Sequence, residues 1–151
     1  MRRRSIVVVA AIAFCSVWPA AASLAATGAH AAATASATVA GAWGSATEVP
    51  GTAALNKGGV AGVISVSCAS AGNCGAAGNY ADGSGHQQVF VVDEKNGTWG
   101  TAKEVPGTAT LNKGGRAAAD SVSCAAPGNC SAGGAYLDGS RHGQAFVVSE
   151  T

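Results

Sequence analysis

The sequence predicts an all-β chain made of two tandem four-stranded antiparallel repeats, and three observations carry that prediction. Residues 43–95 align with residues 99–151 at a constant offset of 56 and without a gap, with 35 identities in 53 positions. Within each copy, short apolar runs are bounded by Gly, Asn, Asp and Pro, the punctuation of strands and turns. Neither copy carries the i, i+3, i+4, i+7 apolar pattern that repeats of similar length built from amphipathic helices would need.

Taken in order, the first strand of a copy is expected at 63–68, where Ile64, Val66 and Cys68 share a face by two-residue alternation. A loop over 69–73 leads to a second strand at 74–81, which ends at the turn signal Asp82-Gly83-Ser84. The third strand, 88–93, contains the unbroken apolar run Val89-Phe90-Val91-Val92, which signals burial on both faces. Asn96-Gly97 then marks a two-residue hairpin of type I′, whose central positions both need positive φ. A fourth strand, 99–105, is stopped by Pro106-Gly107, and a glycine-containing connection over 108–115 leads into the next copy. The array begins with a lone fourth-type strand at 43–49 and its last strand is of the third type. The alternative arrangement is an eight-strand β-sandwich with the two sheets stacked face to face.

Ahead of the repeats, Arg2, Arg3 and Arg4 precede an apolar run over 6–17, followed by Pro19 and an alanine-rich stretch. That order of basic, apolar and small-residue regions is a secretory signal. Candidate cleavage sites follow Ala22, Ala26 and Ala31, and cleavage after Ala31, at Ala29-His30-Ala31, is preferred. The expected organisation is a signal peptide at 1–31, a flexible linker at 32–42 and a two-repeat β domain at 43–151. The apolar run is shorter than the roughly 20 residues that span a bilayer, so no membrane association is expected after cleavage and the protein is expected outside the cell.

Removing the signal changes the arithmetic. The whole chain carries a formal charge of +1; without the signal, six basic residues face eight acidic ones, a charge of −2. With charged residues at only 11% of the chain, a basic nucleic-acid footprint and a coiled coil are both excluded, and no nucleic-acid partner is expected. Cys15 leaves with the signal, so five cysteines become four. An even number in an exported chain points to disulfides.

The spacing pairs Cys68 with Cys74 and Cys124 with Cys130, each pair stapling the first two strands of its copy. Closing so short a ring stabilises by roughly 2 kcal/mol, useful where most side chains are Ala, Gly and Ser. The rival reading is a four-thiolate zinc site, disfavoured because structural zinc pairs have two to four intervening residues and export favours oxidation. No metal and no cofactor is therefore expected.

Candidate ligand-binding residues are Asp82 and His86, recurring as Asp138 and His142, together with Trp43 and Trp99. Asp and His at a loop can ligate a cation or a polar ligand, and an exposed indole stacks on sugar rings. The competing roles are a turn cap for each Asp and core packing for the aromatic residues. Glu48 with Glu104, and Glu94 with Glu150, have the chemistry of a glycosidase pair, but repetition at equivalent positions gives like environments, whereas acid and base need unlike ones. Asp120 stands where the first copy has the apolar Ile64. No nucleophile elbow, phosphate loop or zincin motif occurs, so no catalytic residue is assigned and an enzyme is not expected.

The Ser-Val-Ser-Cys and Gly-Asn-Cys segments, the Phe-Val-Val strand and the Asn-Gly-Thr-Trp turn, all present in residues 43–151, resemble the blades of secreted actinobacterial-type β-propeller repeat proteins, a largely uncharacterised group. The segment 93–99 also resembles the Asp-box of sialidase-type propellers, but Val92 and Glu94 stand where that motif has Ser and Asp, and no site is carried over. The resemblance implies a propeller fold and no particular activity.

Propellers close with four to eight blades, so two copies would leave blade faces uncovered. The expected partner is another copy: a cyclic homo-oligomer of three or four chains with the fourth strand exchanged, or else a larger propeller of which this chain is part. The function expected first is an extracellular, non-catalytic binding or interaction module for glycan or cell-surface ligands. A self-assembling structural envelope protein is the second expectation, and a fragment of an extracellular enzyme the third.

Overall fold

The computed structural model describes residues 41–150, and the secondary structure of these residues lies in the unit that begins at Trp43. The expected signal peptide and nearly all of the expected linker lie outside the described residues.

Residues 61–104 form a meander of β1 (Ala61–Ser70), β2 (Asn73–Ala81), β3 (Gln87–Lys95), β4 (Thr98–Trp99) and β5 (Lys103–Glu104). It is one antiparallel sheet in the order β1-β2-β3, with β4 and β5 both on the outer edge of β3. The second copy forms β6 (Ala117–Ala126), β7 (Asn129–Leu137) and β8 (Gly143–Ser149), a three-stranded antiparallel sheet in that order. Neither sheet closes on itself. The protein is thus predominantly β, with sheets of five and three strands.

Four expectations are corrected. The fourth strand is broken into β4 and β5, because its register against β3 slips by one residue between Gly100, whose amide donates to the Asp93 carbonyl at 2.8 Å, and Lys103, opposite Val91, while the intervening Ala102 amide donates to the Pro50 carbonyl at 2.7 Å. The second sheet has three strands rather than four, since among the described residues nothing pairs with the outer edge of β8. Residues 43–49, expected as a strand, are irregular and largely exposed: a strand exists only on a partner's edge, and this segment has none here. The connections contain single helical turns, α1 (Thr52–Leu55) and α2 (Thr108–Leu111), each opened by a threonine hydroxyl donating to the carbonyl three residues back at 2.7 Å.

The hairpin at Asn96-Gly97 forms as its sequence dictates, with φ of 51° and 79°. The face assignment of β1 is different. Its register against β2 shifts between Val63 and Ser65, and the same shift recurs between Ala119 and Ser121 in β6. Ile64 and Asp120 are the extra residues of these bulges, so Val63, not Ile64, shares a face with Val66.

The sheets pack face to face. Between them lies a cluster of Ala77 and Val89 from the first sheet, Val105 from the connection, and Ala119, Val122 and Phe146 from the second. The far face of the first sheet carries a separate cluster of Ala76, Tyr80, Phe90, Val92 and Ala102, partly covered by Val49, Leu55 and Trp99. β3 therefore alternates between two hydrophobic layers, Val89 facing one and Phe90 the other, which accounts for its continuous apolar run.

Candidate functional site

Both cysteine pairs are disulfides, Cys68–Cys74 and Cys124–Cys130, joining residues that sit opposite each other across the β1/β2 and β6/β7 ladders. They are structural staples; the four sulfurs are consumed in two bonds and form no thiolate set.

Asp82 and Asp138 staple their turns. The Asp82 carboxylate accepts the Ser84 amide at 2.8 Å, the His86 amide at 3.0 Å and the Gln88 side-chain amide at 3.1 Å, and Asp138 does the same with Ser140, His142 and Gln144. Burial raises the Asp82 pKa, but the Gln88 hydrogen bond and the two backbone amides outweigh it and hold the carboxyl below its ordinary value. The His142 amide, followed by Gln144, lowers Asp138 in the same sense. The imidazoles stand farther off, with His86 Nδ1 3.9 Å from Asp82 and His142 Nδ1 3.8 Å from Asp138. Among the described residues no cluster of three His, Cys, Asp or Glu side chains could hold a metal ion.

The first of these turns is also tied to the second copy. Gln88 is buried and its side-chain oxygen Oε1 accepts from the Asn112 side chain at 3.0 Å, while Asn112 also donates to the Gln87 backbone carbonyl at 2.9 Å. The His86 ring lies so close over Gly115 that a Cβ there would fall 2.7 Å from it. At the equivalent Gly59 an added Cβ would meet nothing within 4 Å. Asp82 and His86 thus hold the junction between copies, whereas among the described residues Asp138 and His142 make the same turn with no second copy bonded beyond it.

The two tryptophans do not share a site. Trp99 belongs to β4 and packs, half-buried, on the Phe90 cluster, while Trp43 is 99% exposed. The candidate carboxylates are also in unlike use: Glu104 accepts from the Tyr80 hydroxyl at 3.0 Å, and Glu48 from the Thr52 hydroxyl at 3.2 Å. Glu150 lies 3.8 Å from the Lys95 ammonium. Asp120 is exposed at its bulge.

What residue-by-residue motif reading misses is an asymmetry between equivalent surfaces. Val122 of β6 is 8% exposed because the first sheet covers it, whereas its counterpart Val66 is 54% exposed. Val91 packs against the inter-sheet cluster, whereas its counterpart Val147 is 88% exposed. One end of the unit therefore presents the surface that β6 buries, and the other end presents the surface that buries it. The repeat itself held the signal, since identical residues at both outer ends cannot all be covered by two sheets. No family model, no curated protein and no solved structure matches the chain.

Proposed function

We propose that the protein is an exported, non-catalytic interaction module built from propeller-type blades, and that its binding partner is a further blade of the same kind. The observation that carries this reading is the unequal burial of equivalent residues: Val66 and Val147 are exposed at the two ends, while Val122 and Val91 pack in the middle. A head-to-tail contact that repeats the internal one would bury both exposed sets together, at about 1.5–3 kcal/mol for each large apolar side chain covered. Such a contact is heterologous, so it closes into a ring or extends as a filament. Three or four chains would give six or eight blades, within the range at which propellers close. The signal-like N-terminus and the two disulfides support an extracellular setting. No helix of the described residues is long and apolar enough to cross a membrane.

The test is native mass and sedimentation of the wild type beside Val66→Asp and Val147→Asp. Both residues are exposed in the single chain, so either aspartate leaves the fold intact and places a charge in the contact. The expected result is a discrete oligomer for the wild type and a monomer for each variant. A wild type that stays monomeric at every concentration overturns the reading.

A glycan ligand is the second reading, favoured by the fully presented indole of Trp43. Its test is retention on immobilised polysaccharide, lost in Trp43→Ala and kept in Val147→Asp.

A further inference from the structure

We propose that residues 43–48 of a second copy form the fourth strand of the second sheet, pairing along the outer edge of β8 with the Trp43 indole seated in a cavity between the sheets. This rests on the self-association reading and specifies how the copies are joined.

The first sheet supplies the template. There, Trp99 sits opposite Glu94, and Lys103 and Glu104 sit opposite Val91 and Phe90. The ladder continues into the Val105 amide, which donates to the Val89 carbonyl at 2.9 Å. Residues 43–49 are the same segment one repeat earlier, and five of the seven residues are identical to 99–105. Carried over by the repeat offset, Trp43 falls opposite Glu150, Thr47 opposite Val147, Glu48 opposite Phe146, and the Val49 amide on the Ala145 carbonyl. Glu48 would then meet Tyr136 as Glu104 meets Tyr80.

The second observation is a cavity of about 340 Å³ lined by Val122, Ala132, Val148, Lys103 and Glu104, between the two sheets. Its counterpart one repeat earlier, lined by Val66, Ala76, Thr47, Glu48 and Trp99, holds only about 80 Å³. The first-copy site has an indole in its wall and, among the described residues, the second-copy site has none. Trp43, the residue equivalent to Trp99, is the most exposed large apolar side chain among the described residues, at 99%. A knob without a hole and a hole without a knob, at equivalent positions of one repeat, identify each other.

Geometry makes the donor a second copy. Val49 packs on the Phe90 cluster, on the face of the first sheet turned away from the second, whereas the receiving edge of β8 belongs to the second sheet. The donated strand also places the Phe90-side face of its own first sheet beside the acceptor's Val147 face. Strand pairing and face docking are thus one contact, a β-augmentation with an aromatic anchor.

The test compares sedimentation of the full-length wild type, Trp43→Ala, Trp43→Phe and Val147→Asp, with hydrogen exchange read at the β8 amides. Trp43→Ala is expected to weaken assembly by at least about 30-fold, the loss typical of a truncated aromatic anchor, and Trp43→Phe to restore much of it. The β8 amides are expected to exchange more slowly in the wild-type oligomer than in Trp43→Ala. If Trp43→Ala assembles as the wild type does while Val147→Asp remains monomeric, the faces dock without the strand and this inference fails alone. If the wild type never assembles, both readings fail together. Slow exchange at β8 in a wild-type monomer would also overturn it, since the strand would then come from the same chain.

Discussion

The Ser67 hydroxyl accepts a hydrogen bond from the Cys124 backbone amide at 3.0 Å, so a side chain of the first sheet caps the open edge of the second. Ser65 does the same for the Val122 amide at 3.2 Å, and the Asn79 side-chain carbonyl for the Ala119 amide at 2.8 Å. Edge amides left bare would invite indiscriminate pairing or lie unsatisfied beneath the neighbouring sheet. Replacing Ser65 and Ser67 together by Ala is expected to cost about 1–3 kcal/mol per orphaned amide, read as a lower urea midpoint. The equivalent Ser121 and Ser123 are exposed, and their replacement is expected to leave the stability of the single chain unchanged while weakening assembly.

Gly78 and Gly134 are fixed by close approach rather than by unusual φ. A Cβ at Gly78 would fall 2.6 Å from the Phe90 ring and against the Gly62 carbonyl, and one at Gly134 would meet the Phe146 ring at 2.9 Å and the Ala118 carbonyl. Each glycine lets its Phe lie flat over β2 or β7. Gly78→Ala is expected to destabilise by about 1–3 kcal/mol through overpacking, and Gly134→Ala in the same direction. Gly62→Ala, where nothing lies within 4 Å, is expected to leave the urea midpoint nearly unmoved.

Much of this was legible in the sequence because the repeat states it twice. The hairpins, the Asn96-Gly97 turn, the cysteine pairs and the double burial of β3 all follow from local chemistry. The bulge at Ile64 was not legible, since one inserted residue reverses the alternation without changing composition. Asp120 was the clue: an acid that replaces an isoleucine in so close a repeat marks a position buried in neither copy. Residues 43–49 and 99–105 share nearly the same residues yet differ in structure, because a strand is a property of the edge beside it. For the same reason Trp43 and Trp99 could not be told apart, nor could the junction role of Asp82 be told from the simple turn at Asp138.

The two disulfides are expected to contribute unequally. Cys124 and Cys130 pack on the inter-sheet cluster, and a Cβ added at Gly75 would fall 3.0 Å from both sulfurs, whereas Cys68 is exposed at the outer end. Chain entropy assigns roughly 2 kcal/mol to either ring. The double change of Cys124 and Cys130 to Ala is expected to lose this and the packing over Gly75 as well, so it should lower Tm more than the double change of Cys68 and Cys74. Equal losses would show that the inter-sheet contact does not depend on the second staple.

Acid should loosen the turns. The Asp82 and Asp138 carboxyls are held below their ordinary value of 3.8, so in each case the folded pKa lies under the unfolded one. Their contribution is fully present above the unfolded value and is lost as pH falls through the folded one. Stability is therefore expected to decline below about pH 4, and Asp82→Asn to flatten that decline. Asn keeps one acceptor oxygen, so the turn should survive at neutral pH with a smaller midpoint. Urea titrations of wild type and variant between pH 2 and 7 give the comparison.

Alkali should act on a different layer. Burial, followed by the hydrogen bond and charge of Glu104, pushes the Tyr80 phenol well above its ordinary 10.0. A raised folded pKa means the folded state keeps the proton that the unfolded state releases, so this contribution is whole below pH 10 and drains away as pH rises beyond it. Tyr80→Phe removes the titrating group and leaves the ring in place. It is expected to cost about 1 kcal/mol at pH 7 through the lost hydrogen bond to Glu104, yet to show a shallower fall between pH 9.5 and 11. Every other ionisable group is common to both proteins, so the difference between the two stability curves isolates the phenol. A difference that stays constant with pH would mean that Tyr80 ionises as readily in the fold as out of it, and that the Tyr80–Glu104 contact does not seal β5 onto the sheet.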